Sequence, residues 1–258
     1  MDGPDDLALL FELFEGTPRQ GPGSVGTTRR ALRSLPASLR IERALDLGCG
    51  TGGSTIVLAE ETGARVTAVD VHAPFLATLR ARAEERGLAD RIATVVGDMA
   101  DAASFGEPFD LVWAEGSAYS IGFENALARW RPALRPGGGL VVTELVWFAA
   151  APDPRARAFF ETEYPDMTDE ATRVEQVRAA GYEPIETFRL PADDWRAYYA
   201  GLEAALRDAI ARHGDREIYA ATRRERETYE AYGDEYGYVC LVLRAPGAGG
   251  DRLPEERT

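Results

Sequence analysis

The 258-residue chain contains no lysine, and all 29 of its basic residues are arginines. Without a lysine amine the chain cannot form a Schiff base, and it lacks the lysine of a P-loop nucleotide site. Its 43 acidic residues give a net charge of −14. This excess of negative charge predicts no binding to nucleic acid or to anionic membranes, because both require clustered basic side chains.

Cysteine and histidine are also scarce, with two residues of each in the chain. Cys49 and Cys240 have no metal-binding spacing and make no disulfide framework, which predicts a reducing, cytoplasmic setting and no bound metal. No apolar run reaches the length of a membrane span, and the acidic first residues are unlike a secretory signal. With 45% hydrophobic residues the composition is globular, which excludes disordered and fibrous classes.

Short apolar segments alternate with helical patterns from residue 43 to residue 145. Strands that alternate with helices predict a parallel sheet with right-handed crossovers. Two more strand-like segments follow in the C-terminal part. The seven predicted strands cover residues 43–47, 65–69, 92–96, 109–114, 139–145, 182–189 and 237–244.

Helical patterns precede the first strand and separate the last two. Residues 5–15 have amphipathic periodicity, and residues 27–35 begin at Thr27, a residue type that caps helices. About 45 helical, aromatic-bearing residues lie between the sixth and seventh strands. Adjacent antiparallel strands need only a hairpin, so we expect this connection to be an inserted lid.

A glycine-rich loop with Gly48, Gly50, Gly52 and Gly53 follows the first strand. Glycines let the backbone turn sharply into a helix and approach a ligand closely. The loop matches both the G-x-G-x-x-G pattern of dinucleotide sites and a tighter G-x-G-x-G pattern. By itself it therefore leaves NAD and another adenosine cofactor open.

Three aspartates outside the loop favour the other adenosine cofactor. Asp46 lies inside an apolar run, where a carboxylate without partners is costly, so a functional role is the favoured interpretation. Asp70 follows Gly52 by 18 residues, a spacing at which a carboxylate accepts from both ribose hydroxyls. Asp98 ends the third strand and can accept from an adenine amino group. Helix N-capping is the alternative role for Asp70 and for Asp98.

Five ordered segments together resemble the class I S-adenosylmethionine-dependent methyltransferases over roughly residues 43–145. These segments are LDLGCGTG at 45–52, VD at 69–70, GDM at 97–99, FDLVW at 109–113 and LRPGG at 134–138. Three further segments, at residues 21–24, 113–123 and 144–147, resemble a bacterial subgroup of small-molecule methyltransferases.

This resemblance implies a Rossmann-like, doubly wound α/β sheet of seven strands. The implied strand order is 3-2-1-4-5-7-6 with the seventh strand antiparallel, and Gly137 and Gly138 would form the turn before the fifth strand. The chain would be a single methyltransferase domain over residues 1–258. Its parts would be an N-terminal helical cap at 1–40, a cofactor-binding core at 41–190 and 236–245, a helical lid at 191–235 and a flexible tail at 246–258.

The resemblance also implies S-adenosylmethionine as methyl donor, S-adenosylhomocysteine as product and no metal. The loop glycines would pass under the methionine part, and Asp46 would organise the loop and attract the ammonium group. Asp70 would bind the ribose and Asp98 the adenine N6, while Val71 and Met99 would pack on the ring. The predicted cofactor contacts are Asp46, Gly48, Gly50, Gly52, Asp70, Val71, Asp98, Met99, Glu115 and Gly23.

Candidates for the acceptor chemistry lie at the ends of the fourth and fifth strands and in the lid. Glu115 could take a proton from the acceptor or orient it, hydrogen-bond the cofactor, or cap the next segment. Tyr119 is the second catalytic candidate. The lid aromatics line an apolar or cation-binding pocket, or they pack the lid onto the sheet. The predicted acceptor-binding residues are Glu144, Trp147, Trp195, Tyr198, Tyr199 and Arg29.

Two of these charged groups have a simpler interpretation. Arg29 is as well explained by a solvated basic face, which it would share with Arg33. The acidic residues of the lid, Glu225 among them, are predicted to form solvated helix faces.

The predicted reaction is an in-line displacement that moves a methyl group to N, O, S or C of a small molecule. Positioning and exclusion of water would supply much of the catalysis. An NAD-linked oxidoreductase using Gly48, Gly50, Gly53 and Asp70 is the alternative, although the chain has no Tyr-x-x-x-Lys pair. A non-catalytic S-adenosylmethionine-binding protein is the third possibility. We expect a small-molecule partner and a monomer or homodimer, without nucleic acid or membrane partners.

Overall fold

A central β-sheet with helices between its strands organises the protein. The computed structural model describes residues 4–247. Its strands are β1 (Arg43–Leu47), β2 (Arg65–Asp70), β3 (Ile92–Val96), β4 (Phe109–Ala114), β5 (Leu134–Trp147), β6 (Thr168–Asp169), β7 (Glu183–Arg189) and β8 (Tyr236–Arg244). Its α-helices are α1 (Pro4–Glu15), α2 (Val25–Ser34), α3 (Thr55–Thr62), α4 (Ala73–Glu85), α5 (Phe123–Trp130), α6 (Pro154–Glu163), α7 (Glu170–Ala179), α8 (Ala192–His213) and α9 (Glu217–Tyr232).

The strand order is β3-β2-β1-β4-β5-β8-β7. The strands from β3 to β5 pair in parallel, and β8 pairs antiparallel with both β5 and β7. With the two-residue strand β6 set aside, this arrangement confirms the predicted order of seven strands with the last one antiparallel. β6 pairs with the end of β5, at Val146 and Trp147, and has no counterpart in the sequence prediction.

Alternate residues of the central strands face two separate apolar layers. In β4, Leu111 and Trp113 pack in one cluster with residues of α3 and α4. Val112 and Ala114 pack in the other cluster with residues of α5. Because helices cover both faces, all six residues of β4 are buried, which explains its continuous apolar sequence.

Two local predictions are wrong. Helix α2 begins before Thr27, and Ser24 is its N-cap, with the Ser24 hydroxyl accepting from the Thr27 amide at 3.1 Å. Gly137 and Gly138 lie within β5, where the pairing with β4 changes register. Gly137 has φ +76°, and its amide donates to the carbonyl of Pro246 at 3.1 Å. The glycine pair therefore allows the irregular pairing within β5 and does not form a turn before that strand.

Helices α8 and α9 form a hairpin inserted between β7 and β8, and this inserted hairpin packs against α1. Leu13 of α1 is buried in a cluster with Leu202, Ala205 and Tyr219 of the hairpin. A methyl group added to Gly201 would lie 3.1 Å from Pro18, so the contact continues beyond α1. Within residues 4–247 no helix is both long and apolar enough to span a membrane. Of the predicted tail, residues 248–258 lie outside the described residues.

Candidate cofactor and acceptor site

The glycine loop leaves β1 in a left-handed backbone conformation. Gly48, Gly50 and Gly52 have φ of +67°, +53° and +86°. A Cβ added to Gly48 would lie 2.5 Å from the Cβ of Ser117, and one added to Gly52 would lie 2.1 Å from a methyl carbon of Leu79. Glycine is therefore required at these positions both for conformation and for space.

Asp46 lies at the end of β1 beneath the loop and is buried. Its Oδ2 accepts from the hydroxyls of Ser54 at 2.9 Å and Thr55 at 2.6 Å, which fixes the start of α3. Its Oδ1 is buried without a partner among the described residues. Burial raises the pKa of Asp46 to about 7. Its unpaired oxygen is suited to a donor group that the protein itself does not supply.

Asp70 connects the glycine loop to the segment after β2. Its Oδ2 accepts from the Gly50 amide and its Oδ1 from the His72 amide, both at 2.9 Å. Each carboxylate oxygen has a second lone pair, so the group can also accept from a ligand hydroxyl. The structure thus assigns Asp70 a local role in addition to the predicted one.

The ends of β2 and β3 carry one acid and one apolar side chain each. Val71 follows Asp70 and is 60% exposed, while Met99 follows Asp98 and is half-buried. Asp98 caps the 3-10 helix Met99–Phe105, because its Oδ1 accepts from the Ala100 amide at 2.8 Å. The two strand ends are adjacent and can hold a flat ring with a polar edge.

A segment that sequence reasoning did not single out covers the glycine loop. Arg19 donates to Glu115 at 2.6 Å and to the carbonyl of Gly53 at 2.8 Å. Gln20 accepts from the Thr51 amide at 2.9 Å. This stretch is rich in glycine, and nothing in the sequence distinguished Arg19 and Gln20 from their neighbours.

Glu115 anchors this segment to the sheet. Besides Arg19, it accepts from the Thr28 hydroxyl at 2.8 Å and from the Trp113 indole at 2.9 Å. A Cβ on Gly23 would lie 3.1 Å from both the Arg19 guanidinium and the Glu115 carboxylate. A carboxylate with three donors is held in place, so this geometry favours a positioning role over proton transfer.

Glu144 belongs to a buried network on β5. Its Oε1 accepts from the Tyr164 hydroxyl and lies 3.2 Å from the guanidinium of Arg173. Arg173 also donates to the carbonyl of Asp166 at 2.8 Å. Burial raises the pKa of Glu144, and the Arg173 charge opposes that effect. Glu144 Oε2 is buried without a partner among the described residues.

Tyr119 lies beside this network, with its ring 6.1 Å from that of Tyr164. It is 48% exposed, yet desolvation is the main cause of its raised pKa, and Glu225 and Glu144 contribute. The Tyr238 hydroxyl reaches the end of β4, 4.0 Å from where a Cβ of Gly116 would be.

The predicted aromatic residues form a packed cluster. Trp195 stacks on Tyr229 at 4.3 Å and lies 5.5 Å from Tyr238, while Trp147 meets Phe160 edge-on at 5.4 Å. These contacts give Trp195 and Trp147 a packing role. Tyr198 and Tyr199 are buried in the same cluster, with ring centres 5.0 Å apart.

Comparison with known proteins identifies the family. A family model described as a methyltransferase domain matches residues 44–138. An S-adenosylmethionine-dependent methyltransferase from Thiobacillus denitrificans, solved with S-adenosylhomocysteine, superposes with a TM-score of 0.76 at 25% identity, covering 95% of this chain and all of that one. The matched methyltransferase domain and the fold shared with S-adenosylhomocysteine-bound structures support a class I S-adenosylmethionine-dependent methyltransferase.

Other relatives of the methyltransferase agree in fold. The uncharacterized protein YjhP of Escherichia coli is 26% identical over 252 residues, which cover 93% of this chain and all of YjhP. Its crystal structure has a TM-score of 0.78, at 24% identity over 92% of this chain and 99% of that one. Methyltransferase GfsG of Streptomyces halstedii is 31% identical over 105 residues, 40% of this chain and 38% of GfsG.

The methyltransferase uses S-adenosylmethionine as its methyl donor, and the residues of the site fit that group. The unpaired Asp46 oxygen suits the ammonium group of that donor. Within residues 4–247 no group of three potential ligand side chains comes together as a metal site.

The structure places Arg29, a predicted acceptor-binding residue, in a surface ion pair. Its guanidinium pairs with Glu61 of α3 at 2.6 Å, and both side chains are exposed. The solvated-face interpretation therefore fits Arg29. Residues that the sequence did not indicate include Arg19, Gln20, Thr28, Arg173, Tyr238 and Glu225.

Proposed function

We propose that the methyltransferase moves a methyl group to a small molecule that binds between the glycine loop and the inserted hairpin. The proposal is carried by the end of β4, where Tyr119 is 48% exposed and the Tyr238 hydroxyl lies beside Gly116. We expect residues 16–24 on one side and the hairpin on the other to limit the size of what can enter. A site bounded on two sides favours a small molecule over a macromolecular substrate.

Cofactor contacts are assigned as the geometry supports them. The backbone at Gly48, Gly50 and Gly52 would pass under the methionine part of the donor, and the unpaired Asp46 oxygen would accept from its ammonium group. Asp70 would accept from the ribose hydroxyls through its remaining lone pairs. The adjacent strand ends would hold adenine, with Val71 and Met99 on the ring and Asp98 at its amino edge.

The bound donor supplies a methyl group on a positively charged sulfur, which a nucleophile can attack in line. The protein's part is to orient the nucleophile and exclude water. Arg19 and Glu115 hold the N-terminal segment over the loop, so they act as positioning residues. Tyr119 and the Tyr238 hydroxyl lie where the acceptor would sit and can hydrogen-bond to it.

The domain division belongs to the same proposal. Residues 1–40 would act as a cap and residues 191–235 as a lid. Because they share an apolar cluster, the two would close over the site at the same time. Absence of nucleic acid and membrane partners and a cytoplasmic location remain predictions from charge and composition. The NAD-linked alternative receives no support from the relatives.

Calorimetric titration with S-adenosylmethionine, S-adenosylhomocysteine and NAD tests the cofactor assignment. The first two should bind and NAD should not. Asp70→Ala should weaken S-adenosylhomocysteine binding by about 1.5–3 kcal/mol, because a charged acceptor is lost. Asp90→Ala is the matched control, since Asp90 is exposed. Equal affinity of Asp70→Ala and the parent protein would refute the ribose assignment.

A further inference from the structure

Glu225 of α9 has no cationic partner within residues 4–247, whereas the arginine on each side of it has an acidic partner. Arg224 pairs with Glu217, and Arg226 pairs with Glu203 and Glu230. Within residues 4–247 no arginine or histidine forms an ion pair with Glu225, although it lies between two arginines in sequence. The carboxylate instead points inward and accepts from the Tyr199 hydroxyl at 3.2 Å.

Tyrosines surround this unpaired carboxylate. Tyr198 and Tyr199 have ring centres 5.0 Å apart, and Tyr199 lies 5.4 Å from Tyr229 of α9. The Glu225 charge contributes to the raised pKa of the Tyr119, Tyr198 and Tyr238 phenols, although burial is the larger cause. Trp195 lies 6.1 Å from Tyr199 and 5.5 Å from Tyr238, so Glu225 borders the same aromatic cluster that reaches the end of β4.

Glu225 remains within reach of a ligand. It is half-buried, and none of its carboxylate oxygens is both buried and unpaired, in contrast to Glu144. Arg173 balances the charge of Glu144, whereas no cationic side chain in the part of the chain that the structure describes balances Glu225. Desolvation raises the pKa of Glu225 to about 7, and the charge of Glu163 adds to that effect.

We propose that Glu225 and the surrounding tyrosines bind a protonated amine, so that the acceptor nucleophile of the methyltransferase is a nitrogen atom. A cation over tyrosine rings is attracted by their negative faces, and an unpaired carboxylate supplies the matching charge. This inference rests on the proposed function, because it assigns a substrate class to the same acceptor site. It replaces the expectation that Glu225 lies on a solvated helix face.

The chemistry of the step is balanced with the donor already assigned. The ammonium of the acceptor gives a proton to the Glu225 carboxylate, which frees the nitrogen lone pair. The nitrogen–carbon bond forms while the carbon–sulfur bond breaks, and the bonding electron pair remains on sulfur. Glu225 then releases the proton to solvent. A carboxylate with a raised pKa accepts this proton more readily than an ordinary one.

Choline and 3,3-dimethyl-1-butanol make a matched pair of probes, because they differ in the charge of the central atom. In the complex with S-adenosylhomocysteine, choline should bind at least 10-fold more tightly than the neutral alcohol. Glu225→Gln should weaken choline binding at least 10-fold and leave S-adenosylhomocysteine affinity within twofold. Glu227→Gln, an exposed neighbour on α9, is the control and should bind choline like the parent protein.

The outcomes separate this inference from the proposed function. If choline binds no better than the neutral alcohol, or if Glu225→Gln binds it unchanged, the amine assignment is wrong. Methyl transfer to phenols or thiols but not to amines would also overturn it, while the small-molecule methyltransferase function would stand. Failure of the parent protein to bind S-adenosylhomocysteine would instead refute the proposed function and its dependent inference together.

Discussion

The two sides of the cleft are built in different ways. On the glycine-loop side, main-chain groups make many of the contacts, and the key residues lie between Asp46 and Met99. On the aromatic side, side chains from several strands and helices meet. The residues that contribute range from Tyr119 to Tyr238 in the chain. Loop positions such as Gly48 cannot accept a Cβ, whereas an aromatic position can change without altering the backbone. We infer that the cofactor side is constrained and that the acceptor side is free to vary.

Arg173→Met should give the largest effect on the aromatic side. The substitution leaves the Glu144 carboxylate buried without its cation, which should cost about 3–5 kcal/mol of unfolding free energy. Chemical denaturation measures the loss. Arg178→Met is the control, because Arg178 is exposed on the same helix. If both variants are equally stable, the network around Glu144 is not structural.

The pH dependence of stability should reveal Asp46 on the glycine-loop side. Its native pKa is about 7, whereas an unfolded aspartate titrates near pH 4. Between these values the native state holds the extra proton, so the unfolding free energy should fall as pH rises. Asp46→Asn should flatten the curve by about 4 kcal/mol relative to the parent protein. Asp90→Asn should leave the slope unchanged, and an unchanged slope for Asp46→Asn would contradict the assignment.

Gly48→Ala tests whether space or backbone conformation governs the loop. The added methyl would clash with Ser117, so we expect about a 100-fold loss of S-adenosylhomocysteine affinity, or about 2.8 kcal/mol. Gly87 has a similar φ of +68° but no atom within 4 Å of an added Cβ. Gly87→Ala should therefore lose about 1 kcal/mol of stability and no affinity. Similar affinities for both variants would count against the steric argument.

Thr27→Val should have the smallest effect, at the junction of the two sides. The Thr27 hydroxyl donates to the buried carboxylate of Asp194 in α8, so its loss should cost about 1 kcal/mol. Hydrogen exchange of residues 16–26 should become faster in the S-adenosylhomocysteine complex. Thr228→Val, whose hydroxyl bonds to its own helix, should not change this exchange. Unchanged exchange in Thr27→Val would mean that the hairpin does not stabilise the N-terminal segment through this hydrogen bond.

The sequence predicted the glycine-loop side well for a physical reason. Strand ends, loop glycines and their aspartates are local features, and the resemblance added the order of the strands. Asp98 shows the limit of this approach, because its capping contact and its predicted ligand contact use the same side chain.

The aromatic side could not be predicted in the same way. Arg173 and Glu225 acquire their roles from Glu144 and Tyr199, partners that are distant in the chain. For Glu225 a weak signal existed: Thr222 and Tyr229 lie three and four residues away on α9, on the face that packs inward. Its neighbours Arg224 and Arg226 concealed that signal, because they made the whole stretch look solvated.

The shared cluster of α1 and the inserted hairpin has a consequence for exchanging parts between relatives. Leu13 packs among hairpin residues, and the Thr27 hydroxyl donates to Asp194. The N-terminal segment and the hairpin are therefore matched to each other. A chimera that receives only a relative's hairpin would lose both contacts. We therefore expect acceptor specificity to be transferred between relatives only when the N-terminal segment and the inserted hairpin are exchanged together.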